Sequence, residues 1–265
     1  MTRAAAPSAR RSSAPTAAAT RNYPNSYLKR SEMPLASLLF LLPFIILYEV
    51  GTRHYAVDPA HHTEQRIIAF NLMHQFFNLF GATGRYMPPL AVVGLLLSLH
   101  IARNDAWKVT PATLLGMALE GPAWAMPLLA MGTFAARYLY HYLPLMPGQG
   151  QGDWRTLTVL SMGAGIYEEM VFRLVGLIVL HMLLIDILRM PKKWGYLAMV
   201  LITSLVFAQY HYWGGEPFSW RSFVFRTAAG VYFALLFLYR GFGVTAFTHS
   251  CYDIMIITMR LMAGA

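Results

Sequence analysis

Charge is what this chain has least of. Charged residues make up 12% of the sequence and hydrophobic ones 57%, about half the charged share of an ordinary soluble domain. Mean hydropathy is +0.44. Together these exclude a soluble globular protein. Acids are the scarcer sign, 12 Asp and Glu against 21 Lys and Arg, for a formal net charge of +9. In a soluble chain that excess would point to nucleic acid. Here the bases lie mostly in the N-terminal tail and between apolar runs, where they set membrane topology, so no nucleic-acid partner is expected. A single cysteine, Cys251, excludes an intramolecular disulfide and a cysteine-based metal cluster. The first apolar run, Leu35 to Tyr48, meets Glu49 without a small-residue cleavage site, which argues against a cleaved signal peptide. No internal repeat supports a transporter of inverted halves. His-Glu-x-x-His and Gly-x-Ser-x-Gly are both absent, which removes two common hydrolase signatures.

What is present divides in two. Residues 1–33 are rich in Ala, Ser, Thr, Arg and Pro, with no acid before Glu32. That composition predicts a disordered tail, held on the cytoplasmic side by Arg3, Arg10, Arg11, Arg21, Lys29 and Arg30. An organellar transit peptide has the same composition, and that reading stays open beside it. Residues 34–265 read as one membrane-embedded domain of the all-α class, a polytopic transmembrane bundle of about seven spans. The expected spans are 34–50, 87–102, 111–135, 156–188, 194–213, 220–239 and 242–260. Residues 66–84 mix Arg66, Asn71, His74, Gln75 and Asn78 with apolar side chains, which predicts one interfacial helix. Seven spans with the tail inside also place Arg103, Lys108, Arg189, Lys192, Lys193 and Arg240 inside. An eighth would push Arg189, Lys192 and Lys193 out, against the positive-inside rule. Trp194, Tyr196, Tyr210, Tyr212, Trp213 and Trp220 fall at span ends, as an aromatic belt does. The lipid bilayer is therefore the first partner predicted. Multi-pass insertion in a bacterial cytoplasmic membrane, N-terminus inside, suits so compact a chain.

Against this apolar background the few ionisable groups within spans carry the information, since each costs roughly 2.5–3.5 kcal/mol or more at bilayer depth. Three motifs gather six of them: Glu168-Glu169-x-x-x-Arg173, Phe207-x-x-x-His211 and His249-x-x-x-Asp253. Adjacent Glu168 and Glu169 point about 100° apart on a helix, so one of them faces a given cavity. Glu169 and Arg173, four apart, can pair on one face, which leaves Glu168 free as a general base. His249 and Asp253 likewise share a face. The small residues Gly163, Ala164 and Gly165 let a neighbouring helix approach closely. A Glu, two His and an Asp converging from three helices can bind a divalent metal such as zinc. They can equally run metal-free hydrolysis, Glu168 activating water while His and Asp stabilise an oxyanion. Zinc on Glu168, His211 and His249 would leave only Glu169 as base, already committed to Arg173. The metal-free use employs each group once, so no metal and no cofactor is expected. Taken singly, each motif also has a structural explanation: an ion pair, an interfacial histidine, a packing hydrogen bond. Glu120, beside Gly121-Pro122, reads better as satisfying backbone freed by the proline than as lining a cavity.

All three motifs, in this order and inside apolar spans, resemble the CPBP family (CAAX prenyl proteases and bacteriocin-processing proteins), the Abi-type intramembrane proteases, over about residues 155–260. The family pattern is Glu-Glu-x-x-x-Arg, then Phe-x-x-x-His, then His-x-x-x-Asn or Asp. Every position is filled here, by Glu168, Glu169 and Arg173, by Phe207 and His211, and by His249 and Asp253. The resemblance implies a glutamate-dependent endopeptidase, its helices surrounding a cavity open to one side of the membrane. It makes Glu168 the base, His211 and His249 its partners and Asp253 the last member. An ionised Asp253 would repel an oxyanion, so it is expected either protonated or turned to orient His249. The expected substrate is a membrane-associated peptide or protein. In a bacterium a lipidated, pheromone-like or membrane-anchored peptide fits better than a prenylated CAAX protein. The alternative is a non-proteolytic immunity or scaffold protein on the same bundle. One expectation conflicts with a single site. Level helix ends would put His211 near the outer end of its span and His249 nearer the inner end of its own, about 15 Å apart in depth.

Overall fold

The computed structural model describes residues 23–58, 63–135 and 153–262. Among them the chain is helical, and the only strand-like pairing is one bridge, Val57 to Glu64. The elements are α1 (Tyr27–Ser31), α2 (Pro34–Tyr55), α3 (Ile68–Leu79), α4 (Met87–Ala102) and α5 (Pro111–Phe134). They continue with α6 (Trp154–Ile187), α7 (Lys192–Tyr210) and a 3-10 turn, His211–Gly214. The last helical stretch, Trp220–Met262, breaks at Gly241 into α8 (220–240) and α9 (242–262).

Prolines open α2, α4 and α5, where a missing N–H costs nothing because the first-turn amides lack helical partners anyway. The α8–α9 break is a glycine's work: Gly241 has φ 74° and ψ −176°, a conformation essentially closed to residues with a Cβ. Helix α6 is irregular for another reason. It contains wide π-type turns at Ala164–Glu168, Met170–Val175 and Met182–Ile187, and such turns recur at functional sites. Two of them hold Glu168 and Arg173, with Glu169 between them.

Four of the described helices are long and apolar enough to cross a membrane: Pro34–Tyr55, Pro111–Phe134, Trp154–Ile187 and Trp220–Met262. Met87–Ala102 is apolar but shorter, and α7 opens on Lys192 and Lys193. All seven segments expected to span are thus helical. The chain is an integral membrane protein of the all-α class. The segment expected in the interface contains α3, a 12-residue helix too short to cross. Phe76, Leu79 and Phe80 stay exposed at or just beyond its end.

The bundle closes around α6, which packs on α2 and α9, while α5 and α7 flank the α8–α9 stretch. A Cβ on Gly165 would run into the Ala246 carbonyl and Ser250, so the expected small-residue contact is real and lies between α6 and α9. Beside it Tyr48, Phe70 and Tyr167 pack their rings 5.2–5.9 Å apart.

Two expectations need correcting. The tail was expected to run as disordered chain to residue 33. Residues 1–22 lie outside the described residues, but α1 is formed and Ser31 and Met33 are buried. What holds α1 is Arg240, expected in an inside loop. It is instead 1% exposed, its Nη2 donating to Ser31 Oγ at 2.8 Å and to Glu120 Oε2 at 2.7 Å, and its Nη1 to the Leu28 carbonyl at 3.2 Å. Glu120 is held in this cluster. Its carboxylate neutralises Arg240 and accepts from Tyr27 and Trp124. Burial, reinforced by Glu120, pushes the Tyr27 phenol up to about 12.

Candidate active site

The seven motif residues come together in the bundle. Glu169 and Arg173 are both fully buried and lie 3.2 Å apart as an ion pair, without the alignment of a hydrogen bond. A buried guanidinium survives only when its charge is matched. Here Arg173 also donates to the Gly230 carbonyl at 3.2 Å and lies 4.3 Å over the Phe207 ring. That second contact gives the Phe of the Phe-x-x-x-His motif a job: its face covers a buried cation.

His211 opens the 3-10 turn after α7. Its Nδ1 lies 2.8 Å from the Phe207 carbonyl. A carbonyl can only accept, so the proton sits on Nδ1 and Nε2 of the neutral ring carries the lone pair. His249 is held the same way, Nδ1 to Glu169 Oε1 at 2.8 Å, and its ring stacks on Phe233 at 4.5 Å. Both Nε2 atoms then face one oxygen. Glu168 Oε2 lies 3.9 Å from His211 Nε2 and 3.9 Å from His249 Nε2. Those separations exceed a hydrogen bond and suit a bridging water. The same oxygen is buried without a hydrogen-bond partner, while Oε1 accepts from Tyr210 at 3.1 Å. Asp253 lies 3.7 Å from His249 Nε2. It does not orient the ring, because Glu169 has taken Nδ1.

Glu168, His211, His249 and Asp253 line a cavity of about 850 Å³, whereas Glu169 and Arg173 stand behind it. The 15 Å depth conflict disappears because two histidines within 3.9 Å of one carboxylate oxygen cannot belong to helices with level ends. No group of three or more His, Cys, Asp or Glu among the described residues is arranged to hold a metal.

Some wall residues escaped the sequence reading. Tyr210 was expected in an aromatic belt but is 1% exposed and touches Glu168. Its place inside the second motif was the available signal. Arg226, in an expected span, is buried and pairs with Glu216 through two hydrogen bonds of 3.0 and 2.8 Å. The cost of an arginine at that depth was the same signal that exposed Arg173. Arg66 joins Glu49 at 2.9 Å and Glu64 at 2.7 Å. Burial pushes the Glu64 carboxyl up, but hydrogen bonds from Arg66 and Arg85 outweigh it and hold the group below its ordinary value. Phe233 left no signal, being one more aromatic in an apolar helix.

The model of one family, described as type II CAAX prenyl endopeptidase Rce1-like, matches residues 150–255. That stretch contains all three motifs and both histidines. No curated protein and no solved structure matches the chain. Over residues 150–255 the chain is thus similar to the CAAX-protease-like endopeptidases, and the match supports membership of the CPBP group.

Proposed function

We propose that the protein hydrolyses a peptide bond in a membrane-associated substrate, with Glu168 as the general base. One observation carries the reading: a carboxylate oxygen and two imidazole Nε2 atoms converge, 3.9 Å apart, on the wall of the large cavity. A water held there gives its proton to Glu168 Oε2 as its oxygen attacks the scissile carbonyl. His211, with its lone pair on Nε2, accepts a hydrogen bond from the O–H that the water keeps and so aims the oxygen. His249, backed by the Glu169 carboxylate, can carry a proton on Nε2 toward the developing oxyanion, where a donor is worth most. Collapse breaks the C–N bond, and the proton on Glu168 passes to the leaving amine, which restores the carboxylate. Asp253, beside His249, shares that proton rather than meeting the oxyanion bare.

The substrate we favour is a lipidated or membrane-anchored peptide, since a cavity opened within a bundle is reached from the bilayer or its surface. Glu168→Gln keeps the shape and removes the base. Cleavage of such peptides by reconstituted protein should fall by at least about 10²-fold, while the variant still inserts and folds. Cleavage by Glu168→Gln at the wild-type rate would remove the enzymatic assignment of Glu168 and favour a bundle that binds without cutting.

A further inference from the structure

Helix α3 ends the accounting of one hydrogen-bond chain that begins at the base. The first-turn amides of a helix have no partner inside it. One of those of α3, the Ala69 N–H, donates to the Tyr210 phenol oxygen at 2.9 Å. The phenol in turn donates to Glu168 Oε1 at 3.1 Å. Tyr210 is wedged between the Phe172 ring at 5.0 Å and the His211 ring at 4.9 Å, so its hydroxyl is fixed in place. A phenol that accepts from the positive end of a helix becomes a stronger donor. A terminal carboxylate torsion is otherwise broad and soft. Pinning Oε1 leaves Oε2 aimed at the gap between the two histidines.

We infer that Tyr210 is a positioning residue for Glu168, and that through it the interfacial helix α3 sets the orientation of the base. This rests on Glu168 being the base. A tyrosine that served packing alone would need neither the amide of α3 nor the carboxylate. The hydroxyl has both, across sequence separations of 141 and 42 residues.

The test uses the full chain reconstituted in liposomes, with a pool of N-palmitoylated, fluorescence-quenched peptides as probe. Tyr210→Phe should lower kcat by roughly 10- to 100-fold, the penalty of a misaimed catalytic group, with KM little changed and the unfolding midpoint close to wild type. With ¹³C-labelled glutamate, the infrared carboxyl band that Glu168→Gln removes should move in Tyr210→Phe. Tyr212→Phe is the control. It deletes a comparable hydrogen bond, to the Ser219 carbonyl at 3.0 Å, and should leave both kcat and the band in place. A wild-type kcat with an unmoved band in Tyr210→Phe, beside an inactive Glu168→Gln, would overturn this inference and leave the role of Glu168 intact. A loss that follows KM and the unfolding midpoint while the band stays put would overturn it too. Full activity in Glu168→Gln would instead strike the reading on which it rests.

Discussion

At the residue scale the site depends on one carboxylate doing two things. Glu169 neutralises Arg173 and also fixes the tautomer of His249. The first task is about stability and the second about chemistry, and substitutions can separate them. Glu169→Gln leaves a buried guanidinium unmatched, which should cost about 3–5 kcal/mol in the unfolding free energy. Adding Arg173→Met removes the stranded charge, so the double variant should recover much of that loss. It should not recover cleavage, because His249 still lacks its anion. Unfolding in detergent and peptide cleavage, measured on the same preparations, check the split. A double variant that regained both would mean Glu169 matters only for charge balance. The i,i+4 spacing made the Glu169–Arg173 contact legible in the sequence. The Glu169–His249 contact was not, because it joins residues 80 apart and no spacing rule reaches across helices.

At the element scale, the helices were legible and their ends were not. Apolar runs of span length located α2 and α4 to α9, since a bilayer admits little else, and the amphipathic mix of residues 66–84 located α3. What composition cannot reveal is tilt, or where along a neighbour each helix begins, and that is why level ends misplaced His211 and His249 by a whole site. The break between α8 and α9 is the device that sets the start of α9. Gly241→Ala forces a Cβ into a conformation costing about 1–3 kcal/mol. It also brings that atom to 3.3 Å from Glu32 Cα, beside the Arg240 cluster. Destabilisation of that size should appear in thermal unfolding, with a loss of cleavage because α9 carries His249 and Asp253. Gly81 offers the comparison. It too has positive φ, 76°, but nothing lies within 4 Å of its Cβ position and it is not in the cavity wall, so Gly81→Asn should be nearly silent. Equal effects at both positions would show that the α8–α9 break does not place the site.

At the scale of the whole molecule, the basic residues around α1 and at the start of α7 lie away from the cavity wall. The Tyr23 ring gathers Arg30 and Lys108 at 5.8 and 5.1 Å, next to α1 and the Arg240 cluster. Lys192 and Lys193 open α7, the helix whose far end delivers His211. The cavity instead includes Asp153, Gly215 and Glu216 in its wall, and its arginines, Arg66 and Arg226, are each spent on carboxylates. The positive-inside rule predicts that this basic end faces the cytoplasm and that the cavity opens on the other side. Asp153 and Lys192 flank α6 and make the test direct. In a Cys251→Ser background, a cysteine at 192 should react with a membrane-impermeant maleimide only after the cytoplasmic face is opened, and a cysteine at 153 without opening it. Reaction of both from one face would break the span assignment. Reaction of 192 from outside and 153 from within would invert the protein, and the peptides it meets would be cytoplasmic ones. The expected outcome points the site toward peptides that have already crossed the membrane or are anchored in its outer surface.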